Sequence, residues 1–353
     1  MECGLVGLPG VGKTTLFSAL TEGAVPITPG SVHPNVGIVS VPDPRLGVIA
    51  EHIPPEKIIH STIRLVDIPG VASGDASRLN AILSNIRQVD AILHVVRCAD
   101  FGGLGPPKPA ADIEELDTEL ALADLVVAEG AIDKASRTAR SGDKESKDRL
   151  ALLERLHAVL EDGRSIRSMD DLTDADMRLL KSYGMMSAKP VLYVANVGED
   201  DVAGNSAAAR EVASIAEAAG GKSVCVSCGI EAELVELEGD DRQEMLESLG
   251  LAEPAIGPLA RAARDLLGLS CFYTAGEKEV RAWTTPIGAT APEAAGAIHS
   301  DIQRGFIRAE CYSVDDLVHF KSEKAIKDAG KMRSEGKGYQ MQDGDVVHFL
   351  FNV

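Results

Sequence analysis

Gly7-Leu8-Pro9-Gly10-Val11-Gly12-Lys13-Thr14 fits the spacing G-x-x-x-x-G-K-[ST], with the apolar run Cys3 to Leu8 before it and a helix-like stretch opening near Thr15 after it. In that setting the pattern predicts a phosphate-binding loop. The glycines let successive backbone N–H groups curl around phosphate oxygens, and the amino terminus of the following helix adds partial positive charge. Lys13 would neutralise the β and γ oxygens, and Thr14 offers its hydroxyl to Mg²⁺. The chemistry implied is binding and hydrolysis of a nucleoside triphosphate.

A second element, Asp67-Ile68-Pro69-Gly70, has the form D-x-x-G at the end of an apolar run. Asp67 would hold Mg²⁺ through water, and the Gly70 amide would face the γ-phosphate and switch with it. Lys13 and Gly70 are therefore the positions expected to act on the reacting phosphate. The residue after Gly70 is Val71, not a water-orienting glutamine, so slow intrinsic turnover is expected. Base choice is set elsewhere. Guanine specificity rests on N-K-x-D, whereas this chain reads Asn196-Val197-Gly198-Glu199. Asn196 can still brace the base, but the lysine stem over the ring is gone and the carboxylate of Glu199 is a methylene longer. Discrimination against adenine should weaken, because base specificity depends on buried polar groups finding partners. Ser227-Cys228-Gly229 supplies the expected base-stacking loop.

These residues need a scaffold. Six short apolar runs (3–8, 36–41, 62–67, 91–97, 190–196 and 223–227) alternate with helix-like stretches, which predicts an α/β domain with a mostly parallel sheet wrapped by helices. The pattern breaks between 112 and 161. Asp112 to Arg140 and Lys144 to Glu161 read as two charged helices joined by Ser141-Gly142-Asp143, an inserted hairpin zipped along Leu116, Leu120 and Ala123 in one helix and Leu153, Leu156 and Leu160 in the other. Its turn carries Lys134, Arg137, Arg140, Lys144, Lys147 and Arg149, a basic tip suited to RNA or to an acidic partner. After Ser270 the composition fits a compact α+β module, with Asp343-Gly344 as a hairpin signal.

Composition bounds the function. A net charge of −19 over 353 residues argues against indiscriminate coating of nucleic acid, and no DNA partner is expected. The segment from Ser270 onward carries ten Lys/Arg against twelve Asp/Glu, so any RNA contact falls to that module or to a local patch such as the hairpin tip. No stretch approaches the roughly 18 uncharged apolar residues that a membrane span requires, and the amino terminus lacks a signal-peptide pattern, so a cytoplasmic location is expected. Six scattered cysteines suit reduced thiols. Cys225 and Cys228 form a C-x-x-C pair without a completing zinc set.

The segments GLPGVGKTTLFSAL, HPNVGIVSVPDPRL, DTELALADL, KPVLYVANVGED, YTAGEKEVRAWTTPIGATAPEAAG, HSDIQRGFIRAE and GYQMQDGDVVHFLFNV resemble, in order, those of the Obg-like ATPases of the YchF type, within the translation-factor group of P-loop GTPases. The resemblance spans essentially the whole chain. It implies a P-loop domain at 1–111 and 184–269, an inserted coiled-coil arm at 112–183 and a ubiquitin-like TGS domain at 270–353. It further implies a monomer, ATP as the favoured base with GTP tolerated, Mg²⁺, and association with ribosomes or ribosomal RNA through the TGS domain and the arm. By position it implies a nucleotide loop from Gly10 to Thr15, Thr14 as Mg²⁺ ligand, the Val197 main chain against adenine, and Ser31 as the switch ligand of Mg²⁺, with Thr28 as the alternative. Gly10 stands where the family commonly has asparagine, and the loop 101–111 lacks the family's histidine. His94 reads as a structural strand residue and His33 as a loop residue.

Overall fold

The computed structural model of the chain describes residues 1–27, 31, 33–70, 76–103, 105–140 and 142–352. The described strands are β1 (Glu2–Val6), β2 (Asn35–Val41), β3 (Lys57–Ile59), β4 (Ser61–Asp67), β5 (Ala91–Arg97), β6 (Val191–Asn196), β7 (Lys222–Val226), β8 (Leu269–Ala275), β9 (Glu279–Pro286), β10 (Phe306–Ser313), β11 (Arg333–Glu335) and β12 (Asp345–Phe351). The α-helices are α1 (Lys13–Leu20), α2 (Pro44–His52), α3 (Ala76–Gln88), α4 (Pro109–Ala139), α5 (Lys144–Glu161), α6 (Asp174–Tyr183), α7 (Ala207–Ala218), α8 (Cys228–Glu236), α9 (Gly239–Ser248), α10 (Ile256–Leu266), α11 (Ala291–Ile298), α12 (Ser300–Arg304), α13 (Val314–Phe320) and α14 (Glu323–Asp328). They form two compact units that do not follow chain order: Met1–Gly37 with Arg64–Ile256, and Ile38–Ile63 with Gly257–Val353.

The first sheet has the order β2-β4-β1-β5-β6-β7, and β4, β1, β5, β6 and β7 are mutually parallel. β5 and β6 are apolar along almost their whole length and buried on both faces, as the central strands of a helix-covered sheet must be. Ile82 and Ile86 of α3, Leu116 and Leu120 of α4, and Val212 and Ala216 of α7 close over Val6, Val66, Ile92 and Val96. Full burial of each large aliphatic side chain contributes about 1.5–3 kcal/mol. Strand order reverses at β1, so the loops after β1, β4, β5 and β6 gather at the carboxyl ends of the strands, where such sheets bind ligands.

α4 and α5 pack together, but along a different seam from the one that the leucine spacing suggests. Leu116 and Leu120 belong to the sheet core. The seam against Leu152, Leu153, Leu156 and Leu160 of α5 is made by Ala121, Ala128, Ala131 and Ala135 of α4. Small residues on one helix let the leucines of the other approach closely, and the larger leucines nearer the start of α4 are left for the sheet. The hairpin is pinned at Asp124, fully buried, whose carboxylate accepts from the Met186 N–H at 2.9 Å, the Ser187 N–H at 2.7 Å and the Ser187 hydroxyl at 2.8 Å.

The second unit is a six-stranded mixed sheet, β11-β10-β12-β8-β9-β3. α11 covers one face over Phe272, Phe306, Ala309 and Phe349. α2 and α13 cover the other through Leu46, Ile49 and Leu317 over Tyr273, Val280 and Val346. β3 adds parallel to β9 at the edge. α2 begins on Asp43, whose side chain caps the Arg45 N–H, with Pro44 in the first turn. Asp343-Gly344 does not join two paired strands. β12 pairs with β10 and β8, and the strand that precedes it in the chain, β11, pairs with β10. Asp343 instead accepts from the Cys271 N–H at 2.8 Å and from Arg45 at 2.6 Å, so its carboxylate anchors the entry to β12.

Candidate functional site

β1 ends at Val6 and α1 starts at Lys13, with Gly12 as N-cap at φ 96° and no side chain capping the turn. The first amides of α1 are thereby left for a ligand, and the helix end favours a negative one. Gly12 is required twice over. Its φ lies in the left-handed region, and a Cβ there would sit 2.4 Å from Asn196 Nδ2. The buried Lys13 ammonium donates to the Gly7 carbonyl at 3.1 Å and the Leu8 carbonyl at 2.7 Å. Burial pushes it down to about 8, against the pull of Asp67.

Beside Lys13 a cavity of about 230 Å³ is bounded by Pro9, Gly10, Thr14, Ser31, Asn35, Asp67, Gly70 and Arg78, among others. Asp67, at the end of β4, accepts on Oδ2 from the Thr14 hydroxyl at 3.1 Å and from Asn35 Nδ2 at 3.1 Å. Its buried Oδ1 has no hydrogen-bond partner among the described residues. Burial pushes this carboxyl up, while the Asn35 and Thr14 bonds and the Lys13 charge pull it down; burial prevails. A hydroxyl touching a carboxylate that keeps an unused oxygen is a donor set that suits Mg²⁺, a hard cation that takes one or two protein oxygens and fills its octahedron with water and phosphate. Gly70 lies so close to the loop that a Cβ would sit 2.8 Å from Pro9. Ser31 lines the same cavity, but its hydroxyl donates to the His33 carbonyl at 3.2 Å and accepts from the His33 N–H at 3.0 Å; no bond to Asp67 is formed. Thr28 and Val71 lie outside the described residues.

A second crevice, about 910 Å³, continues from the loop across the ends of β5 and β6. Gly10, Gly12, Thr15, Asn196, Glu199, Ser227, Cys228 and Gly229 line it together with Cys98, Asp100 and Phe101. Asn196 ends β6, and both arms of its amide are committed to protein: Nδ2 donates to the Val11 carbonyl at 2.9 Å, and Oδ1 accepts from the Cys228 N–H at 3.1 Å. It ties the two loops together while lining the crevice. Val197 is fully buried, with its N–H given to the Val226 carbonyl at 3.0 Å. The Glu199 carboxylate lies over Gly229, 3.3 Å from where a Cβ would be. Asp100 and Asp200 add further carboxylates to this wall, acceptors for the N–H groups of a base, while Asp201 accepts from the Asn205 and Ser206 N–H groups.

His94 is 2 % exposed against Tyr193, and burial, followed by the charges of Arg167 and Lys13, pushes it down to about 3. Cys228 is pushed up to about 12 by burial. Its Sγ faces Gly12, whereas that of Cys225 faces Gly204. No cluster of three His, Cys, Asp or Glu side chains with metal-binding geometry occurs among the described residues. Sequence reasoning passed over Asn35 and Arg97. Arg97 donates to the carbonyls of Ala99 at 3.3 Å, Gly105 at 2.7 Å and Pro106 at 3.2 Å, folding the loop that carries Asp100 and Phe101. An arginine closing a buried apolar strand was the available signal.

A lysine and amide-rich loop at a helix start, a D-x-x-G segment against it and this strand order define a P-loop fold of the GTPase superfamily. The family model described as "50S ribosome-binding GTPase" matches residues 2–131, and the YchF GTPase carboxy-terminal model, described as "Protein of unknown function (DUF933)", matches residues 269–352. The protein named "Ribosome-binding ATPase YchF" is 45 % identical in Pasteurella multocida over 100 % of this chain and 99 % of the relative, and 43 % identical in Bacillus subtilis over 100 % of both. The solved structure of the Schizosaccharomyces pombe YchF GTPase superposes with a TM-score of 0.85 at 28 % identity, covering 99 % of this chain and 97 % of that one. The chain belongs to the YchF family.

Proposed function

We propose that the chain is an ATPase that binds Mg²⁺·ATP in the loop Gly7 to Thr14 and acts as a nucleotide-dependent switch on the ribosome. The observation that carries this reading is the crevice that joins the phosphate loop at Gly10 and Gly12 and the start of α1 at Thr15 to a wall of Glu199, Asp100 and Asp200. The phosphates lie along the amides, the ammonium of Lys13 exchanges its two carbonyls for β and γ oxygens, and the purine fills the space beside Glu199 and Cys228. The carboxylates accept from the 6-amino group of adenine, while Glu199, a methylene longer than the aspartate of N-K-x-D, fits the N1–H and 2-amino group of guanine less well. Thr14 and Asp67 would hold Mg²⁺, with Ser31 as a further ligand, and the cation would supply charge neutralisation at the triphosphate. Gly70 donates its amide to the γ-phosphate and moves when that phosphate leaves. The names of the curated relatives support both the base and the ribosome. The test is binding and hydrolysis of ATP and GTP measured side by side, with ribosomes added or withheld. ATP is expected to bind more tightly; GTP binding tenfold tighter than ATP refutes the base assignment.

A second reading makes hydrolysis incidental and nucleotide occupancy the signal to an RNA- or ribosome-bound protein. It draws on the six basic residues at the turn between α4 and α5, Lys134, Arg137, Arg140, Lys144, Lys147 and Arg149, all exposed, and on Val71 in place of a glutamine. The carboxy-terminal unit would act as a TGS domain in the same contact, the chain working as a cytoplasmic monomer. Co-sedimentation of the parent and of Lys13→Ala with ribosomes, with and without Mg²⁺·ATP, separates the readings. Equal sedimentation under all conditions excludes a nucleotide switch.

A further inference from the structure

The cavity that Lys13 lines holds a second cationic side chain. Arg78 is the third residue of α3 and lines the same 230 Å³ space as Lys13, Thr14, Asp67 and Gly70. The chain has Val71 where a glutamine would orient water, so positioning of the nucleophile is not supplied from that position. Lys13 is a point charge held at the mouth of the loop by the Gly7 and Leu8 carbonyls. Arg78 offers a planar fork of donors that matches phosphate oxygens two at a time and remains charged at any physiological pH.

We propose that Arg78 is a catalytic residue of ATP hydrolysis, a guanidinium supplied in cis that contacts the γ-phosphate oxygens as negative charge redistributes in the transition state. The inference rests on the ATPase reading above. In the step it assists, the oxygen of water forms a bond to the γ-phosphorus while the bond from that phosphorus to the β–γ bridging oxygen breaks, its electron pair staying on ADP. The displaced proton of water leaves with inorganic phosphate or passes to solvent. Arg78 transfers no proton; it stabilises the charge that builds on the β–γ bridging oxygen as that bond breaks and is absent from bound ATP, which is the condition for a residue to raise kcat. An arginine in this role differs from a binding residue in that its removal spares the ground state.

The experiment uses the full chain and compares the parent with Arg78→Ala and Arg78→Lys. Single-turnover hydrolysis of Mg²⁺·ATP is measured, and affinity for Mg²⁺·ADP is determined with and without aluminium fluoride, whose adduct mimics the γ-phosphoryl in flight. Arg78→Ala is expected to lower kcat by about 100-fold or more. Its KM and its affinity for Mg²⁺·ADP alone should stay within about twofold, and affinity for the fluoride adduct should fall in step with kcat. Arg78→Lys should recover part of both losses. Arg78 is exposed, so the thermal midpoint of either variant should stay within a few degrees of the parent. A kcat within threefold of the parent, or undiminished affinity for the fluoride adduct, overturns the inference and leaves the ATPase reading standing. A parent chain that neither binds nor hydrolyses ATP overturns both.

Discussion

Replacing Asn196 by alanine tests whether this residue touches the base or holds the site together. Its side chain is 3 % exposed and joins the phosphate loop to the start of α8 through Val11 and Cys228, at 2.9 and 3.1 Å. Asn196→Ala leaves a buried carbonyl and a buried N–H without these partners, and each orphaned group costs about 1–3 kcal/mol. Both border a crevice that water can enter, so the lower part of that range applies and the pair should cost about 2–4 kcal/mol. For a unit of this size, at about 2–4 °C per kcal/mol, the thermal midpoint should fall by about 5–15 °C. Nucleotide binding must then re-order the loops at its own expense. At about 1.4 kcal/mol per tenfold, affinity should drop between about thirtyfold and several hundredfold. Because both hydrogen bonds join the loops and neither depends on the base, ATP and GTP should weaken in the same proportion. The assay is thermal unfolding of the free protein alongside calorimetric titration with non-hydrolysable analogues of both nucleotides. A change in the ATP-to-GTP ratio of more than about fivefold with an unaltered midpoint would refute the bracing role and make Asn196 a base contact.

Two further outcomes follow from charges held away from water. Lys13 sits at about 8 in the free protein, below its unfolded value, so between about pH 8 and 10.5 the unfolded chain holds more protons and this site's contribution to stability rises with pH. Triphosphate binding needs the ammonium, so affinity for Mg²⁺·ATP should fall about tenfold from pH 7 to pH 9 with proton uptake on binding; titrations in buffers of different ionisation enthalpy measure both, and Lys13→Ala should abolish binding at every pH. In the carboxy-terminal unit, burial pushes the Asp43 carboxyl up, but hydrogen bonds from Arg45 and from the Tyr273 hydroxyl at 2.5 Å outweigh it and hold the group below the usual carboxylate range. That stabilisation is present above about pH 4 and is lost as pH falls through the folded value. Asp43→Ala should therefore cost about 2–4 kcal/mol at pH 7 and progressively less as the pH falls below about 4, and Tyr273→Phe about 1–2 kcal/mol, read from denaturant unfolding across that range.

What could be read from the chain alone was local. The strand, glycine loop and helix at Cys3 to Thr15, the D-x-x-G turn and the apolar central strands each encode their conformation within a dozen residues, through backbone permissiveness and runs of apolar side chains. The two long helices were legible for the same reason. Their seam was not: the 31-residue α4 carries leucines and alanines on adjoining stripes, and periodicity identifies two apolar stripes without saying which meets α5 and which meets the sheet. Residues 44–59 form a nine-residue helix and a three-residue strand too short to announce a partner, and only the sheet they join assigns them to the carboxy-terminal unit. The contacts that assemble the site are likewise distant in sequence. Asn35 meets Asp67 across 32 residues and Asn196 meets Val11 across 185. A hydrogen bond between short polar side chains leaves no periodic trace, because its partner is chosen by the order in which strands enter the sheet. Chemistry resided in the residue types; the packing of strands and helices decided which of them stand together.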